Sequence, residues 1–167
     1  MNGSYVRLAE RIRQELVDIR QTADRAVTIW SETLGLHPDY GTDAIAFNLH
    51  NLYSGLERLF LMIAKDVDQG EPHGPNWHEE LLRQMSSEVP GIRGPVLSQT
   101  TRDRLEVFRG FRHIVRNVYS YNPKLIQGLV EQLEEVAEST SAELRRFADT
   151  LTEPGAEAGG ADTGGKR

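Results

Sequence analysis

Cysteine is absent from all 167 residues, which excludes disulfides, thiolate nucleophiles and Cys-ligated zinc. A chain without thiols is consistent with a reducing cytoplasm, where we expect this protein to reside. No uninterrupted apolar stretch is long enough to span a bilayer. The N-terminal Met1-Asn2-Gly3-Ser4 leads straight into a charged amphipathic pattern with no apolar signal core, so a soluble protein is expected, with no membrane partner. Positive charge is in deficit too: 19 Lys and Arg stand against 25 Asp and Glu, a formal net charge of -6. That balance argues against a non-specific nucleic-acid coat, which needs a broad basic surface to displace counterions. Any contact with RNA or DNA has to come from a local basic patch, so the placement of the arginines matters more than their number.

Other chemistries lack their residues as well. There is no Gly-rich phosphate loop of the Walker or Rossmann kind and no serine in a recognisable nucleophile setting. His73, His78 and Glu79 lie near one another, but their spacing fits no closed zinc set. The expectation is a protein with no cofactor and no metal. No internal repeat and no convincing strand pattern occurs.

What is present is helical rhythm. From about Ser4 to Leu34, Ile12, Leu16, Ile19, Ala23, Ala26 and Trp30 recur at spacings of four and three, one stripe of a long helix with charges on its other side. Gly35 and the Pro38-Asp39-Tyr40-Gly41 cluster end it. A second helix is expected from about Asp43 to Gln69, capped by Thr42 or Asp43 and packed through Ile45, Leu49, Leu52, Leu56, Leu59 and Ile63. After a loop at Gly70 to Pro75, Asn76 reads as an N-cap with Glu79 as a partial capping box, opening a short helix from Trp77 to about Glu88. The Pro90-Gly91-Ile92-Arg93-Gly94-Pro95 run predicts an ordered loop. A third long helix spans about Ser98 to Ser120. Asn122-Pro123 restarts the chain with Asn as cap and Pro at the first helical position, and the last helix reaches Leu151. The expected fold is all-α: an antiparallel four-helix up-and-down bundle over residues 1–151 with one extra short helix. Residues 152–167, nearly devoid of apolar bulk, read as a disordered tail.

The third long helix carries the chemistry. At about 100° per residue, Phe108, Phe111, Ile114, Val115 and Val118 share a side that must face the core. Arg109, Arg112, His113, Arg116 and Asn117 share the other, with Tyr119 at the boundary beside Arg112. Like charges one turn apart repel by a few tenths of a kcal/mol per pair, so something should compensate them. An anion such as RNA phosphate is one compensator, and acidic residues of a neighbouring helix, such as Glu57, are another.

In order and spacing this segment resembles the active-site helix of HEPN ribonucleases of the HepT type. Those proteins carry Arg, four residues, His, one residue and Tyr on the third long helix of an up-and-down bundle. Arg112 stands at the Arg, Tyr119 at the Tyr and Asn117 where the His is expected. Tyr53-Ser54-Gly55-Leu56-Glu57-Arg58, Asn76-Trp77-His78 and the Pro90-Gly91-Ile92-Arg93 loop extend the likeness over roughly residues 45 to 150. The resemblance implies a metal-independent endoribonuclease toxin, usually a homodimer, with RNA as substrate. It also implies a nucleotidyltransferase antitoxin that silences the toxin by adding AMP to the motif tyrosine, here Tyr119, as in a type VII-like toxin–antitoxin system. Attack of a ribose 2′-OH on its own phosphate needs a proton acceptor, for which histidine suits, and a bidentate fork for the phosphoryl oxygens, for which arginine suits.

On that basis Arg112, Asn117, Tyr119 and His113 are the expected catalytic positions, Arg109 and Arg116 bind substrate, and Glu57 is the counter-charge that positions Arg112. Asn117 departs from the pattern, because its amide can hydrogen-bond a phosphate oxygen but cannot shuttle a proton. Three states of the site stay open: a natural pseudoenzyme, a histidine shifted within the site, with His113 as the substitute considered, or a variant whose activity was removed. Beside the nuclease stands a catalytically silent HEPN module that grips RNA or a nucleotidyltransferase, and behind both a plain helical assembly protein.

Overall fold

The computed structural model describes residues 3–33, 38–117 and 122–153. Among them are five helices: α1 (Gly3–Thr33), α2 (Pro38–Asp66), α3 (Trp77–Met85), α4 (Gln99–Asn117) and α5 (Pro123–Thr150). The tail expected to be disordered falls outside the described residues from position 154 on, as does Tyr119.

The four long helices alternate in direction, and the side-chain pairs between them prove it. Along α1 and α2, Gly41 lies against Thr33, Gly55 against Ile19 and Arg58 against Glu15, so one helix retreats as the other advances. Arg13 meets Asp149 and Arg20 reaches Glu138, which sets α5 antiparallel to α1. Thr101 meets Glu143 and Arg104 meets Glu135, which sets α4 antiparallel to α5. The result is the expected up-down-up-down bundle, with α3 lying across α2 and α4.

The stripes read from spacing are the core. Ile12, Leu16 and Ala26 of α1, Ile45, Leu59 and Ile63 of α2, and Ile126, Leu133 and Leu144 of α5 are fully buried. Asn122 caps α5, its side chain accepting a hydrogen bond from the Lys124 N–H at 3.0 Å, with Pro123 at the first position.

Three local expectations give way. The second helix starts at Pro38, not near Asp43, so neither Thr42 nor Asp43 caps it. Proline is a good first helical residue because the N–H it lacks would have no helical partner there. Gly41 then falls where a Cβ would lie 2.6 Å from the Thr33 Cβ, so glycine is what lets the ends of α1 and α2 close up. A cluster that reads as a breaker is in fact a helix start with a close crossing. Asn76 precedes α3, but its side chain makes no capping bond, and its backbone (φ -103, ψ 16) lies outside the extended region a side-chain cap uses. The Asn76 carbonyl accepts from Glu79 and Glu80 N–H instead. Finally, Ile114 is 36 % exposed rather than core. Six residues beyond Phe108, it lies about 120° further round the helix, past the edge of the face that Phe108, Phe111 and Val115 turn inward.

The loop between α3 and α4 is held by a buried ion pair. Arg93 donates through Nε and Nη2 to the two Asp68 oxygens at 2.7 and 2.6 Å, with both side chains nearly excluded from solvent. Its Nη1 also donates to the Ser87 and Gly94 carbonyls. Gln84 of α3 donates to the same Asp68 carboxylate and to the Gly70 carbonyl, so one acid ties the end of α2 to the end of α3.

Candidate functional site

Glu57 lies on the buried side of α2, one turn after Tyr53 and one before Phe60 or Leu61, and is only 5 % exposed. A carboxylate so placed is costly unless it is paired and hydrogen-bonded. It has two partners from two other helices. Arg112 of α4 reaches its Oε1 with Nη2 at 3.1 Å, and His78 of α3 meets its Oε2 with Nδ1 at 2.6 Å. Arg112 Nη1 in turn lies 3.4 Å from His78 Nε2. The Trp77 and His78 ring centroids are 3.5 Å apart, which braces the imidazole plane.

For the neutral imidazole, the bond chemistry selects one tautomer. Glu57 only accepts, so the short contact puts the proton on His78 Nδ1, and a guanidinium only donates, so Nε2 faces Arg112 with its lone pair. At 3.4 Å that contact is long and leaves the lone pair weakly engaged. Arg112 Nε is buried without a hydrogen-bond partner, and its side chain is 15 % exposed against 24 % for His78.

Arg109 is matched on its own helix by Glu106, which accepts from both Nε and Nη2. That hydrogen bond raises the Arg109 pKa above its ordinary value and keeps the guanidinium charged. Both arginines of the stripe whose side chains are described thus carry a carboxylate partner within the protein. Arg58 turns away to Glu15 of α1, so it does not join Tyr53 and Glu57 in one network.

Tyr53 is buried beneath this cluster, and burial pushes its phenol well above the ordinary value of 10.0, with the Glu57 carboxylate adding to the effect. A raised folded-state pKa means the contribution to stability is complete below about pH 10 and is lost as pH rises above it. In a spectrophotometric titration, one of the five tyrosines should therefore resist ionisation until the fold melts. Tyr53→Phe should remove that late amplitude and flatten the alkaline loss of stability by up to about 1.4 kcal/mol per pH unit. Early ionisation of all five would contradict this placement.

The remaining candidates divide. His113 is exposed and sits about 100° round α4 from Arg112. Asn117 is the last residue of α4, and the side chains of Asn117 and Arg116, like all of Tyr119, lie outside the described residues. Among the described residues no cluster of His, Asp and Glu could hold a metal ion, and His73 is exposed. His78, weighed from the sequence only as a metal ligand, is the residue that sequence reasoning missed. Its one signal was the Asn76-Trp77-His78 opening of the short helix, and no linear spacing places that opening beside Glu57 and Arg112.

The geometry defines a helical-bundle protein whose third long helix presents a carboxylate-anchored arginine beside a histidine. A family model described as HepT-like protein matches residues 44–151, which takes in α3, α4, α5 and most of α2. The chain belongs to this HepT-like family, within the HEPN superfamily. No curated protein and no solved structure matches it significantly. No helix of the described residues is long and apolar enough to cross a membrane.

Proposed function

We infer that this chain is the ribonuclease toxin of a toxin–antitoxin pair, a metal-independent endonuclease that cuts single-stranded RNA as a homodimer. The observation that carries this is Arg112: its guanidinium is held by Glu57 at 3.1 Å and placed at the edge of solvent, as a fork for a phosphoryl group must be. Membership of the HepT-like family supports it. Two copies of α4 brought together would sum two modest basic stripes into one cleft, which answers the net charge of -6. A nucleotidyltransferase antitoxin silences the toxin by adding AMP to Tyr119.

Incubation with ATP and the cognate nucleotidyltransferase should add AMP to Tyr119, read by peptide mass spectrometry. A modified protein whose Tyr119 peptide is unchanged would remove the regulatory half of the proposal. Asn117→His should cleave a generic RNA at least as fast as the parent chain. If the parent and the histidine variant are both inert, the nuclease assignment fails.

A silent binding module is the second function, and one observation favours it. Arg112 and Arg109 both have a carboxylate partner inside the protein, so no anion is needed to balance them. Such a module would bind RNA or the nucleotidyltransferase and leave RNA intact in both the parent and the Asn117→His form.

A further inference from the structure

We propose that His78 is the proton acceptor of this site and that Glu57 is its positioning residue, so that the chain cleaves RNA with asparagine at position 117. The inference rests on the nuclease assignment and names the residue that moves the proton.

An imidazole acts as a base when one nitrogen is free and the other is fixed by an acceptor that selects the tautomer. Nδ1 of His78 is bound to Glu57 Oε2 at 2.6 Å, and Nε2 is engaged only by the long 3.4 Å contact from Arg112 Nη1, which a phosphate on Arg112 would draw away. The same carboxylate holds Arg112 through its other oxygen, so base and fork are set relative to one another by a single buried group. A phosphate gripped by Arg112 would bring its adjacent ribose to Nε2, which lies 3.4 Å from Nη1. Asn117 is five residues further along α4, about 7.5 Å down the axis, and bears no titratable group.

The step balances without a metal or a redox partner. His78 Nε2 takes the proton of the ribose 2′-OH as the 2′-oxygen forms a bond to the neighbouring phosphorus. Arg112 donates to the non-bridging oxygens as charge builds there. The bond from phosphorus to the 5′-oxygen breaks, its electron pair stays on that oxygen, and water protonates it. The products are a 2′,3′-cyclic phosphate and a 5′-hydroxyl, and the imidazolium returns its proton to solvent.

The test is cleavage of a labelled single-stranded RNA in excess chelator by the parent, His78→Ala, His78→Gln, His73→Ala and Asn117→His. The parent should cut, His73→Ala should match it, and both His78 variants should lose about 10²–10⁴ of the rate, the usual worth of general base assistance. RNA affinity should stay the same, and added imidazole should restore part of the rate of His78→Ala by filling the space beside Glu57. His78→Gln retains a donor for Glu57, so it serves where His78→Ala fails to fold. Undiminished cleavage by a folded His78 variant overturns the proposal, as does a folded, RNA-binding His78→Ala that imidazole does not rescue. An inert parent with an active Asn117→His overturns it and leaves the nuclease assignment standing. Inertness of both removes the two together.

Discussion

Arg93→Ala should lower the unfolding free energy by about 3–5 kcal/mol, because it leaves the buried Asp68 carboxylate without its bidentate partner. The two side chains are 5 % and 2 % exposed, so solvent cannot take over the lost bonds. The carbonyls of Ser87 and Gly94 lose their donor as well. Thermal melting should fall by roughly 10 °C for a chain of this size. Pairing the change with Asp68→Leu should cost less than Arg93→Ala alone, since the orphaned charge is then gone. A loss below about 1 kcal/mol for Arg93→Ala would show that the loop is held by packing instead. The effect reaches the site, because Asp68 and Gln84 fasten the end of α3 to α2, and α3 delivers His78 to Glu57.

Arg112→Ala should reduce RNA cleavage by about 10²–10³, the range for removing one donor to a developing oxyanion. The charge alone is not what matters here. Arg112→Lys keeps the charge but cannot span Glu57 and a phosphate with one planar fork, so it should recover little of the rate. Glu57 keeps His78 as a partner in both variants, which should leave the fold intact enough for the comparison. Full recovery by lysine would mean that Arg112 acts as a point charge and that its hold on Glu57 is incidental.

Much of this architecture was written into spacing. The buried stripe of α1 follows the steps of four and three from Ile12 to Ala26, and Asn122-Pro123 announces α5 with two local signals that agree. Spacing failed where a residue's meaning depends on a neighbour from elsewhere in the chain. Pro38 to Gly41 reads as a breaker until Thr33 is seen against Gly41, after which the glycine is a requirement of the crossing. Ile114 belongs to the apolar half of a helical wheel, yet the elements packed on α4 cover Phe111 and stop short of it. The site divides the same way. Glu57 could be named from the sequence as the counter-charge of Arg112, because a dense basic stripe calls for an acid on a neighbouring helix. His78 could not, because what brings α3 to Glu57 is the set of bonds around Asp68, and no periodicity encodes those.

The most direct measurement of the central claim is the chemistry of the RNA ends produced by the purified parent chain in excess chelator. A histidine base beside a carboxylate-anchored arginine predicts fragments with 5′-hydroxyl and 2′,3′-cyclic phosphate ends, absent when Arg112→Ala is prepared and assayed in the same way. Fragments carrying 5′-phosphates, or equal fragmentation by the parent and Arg112→Ala, would contradict it.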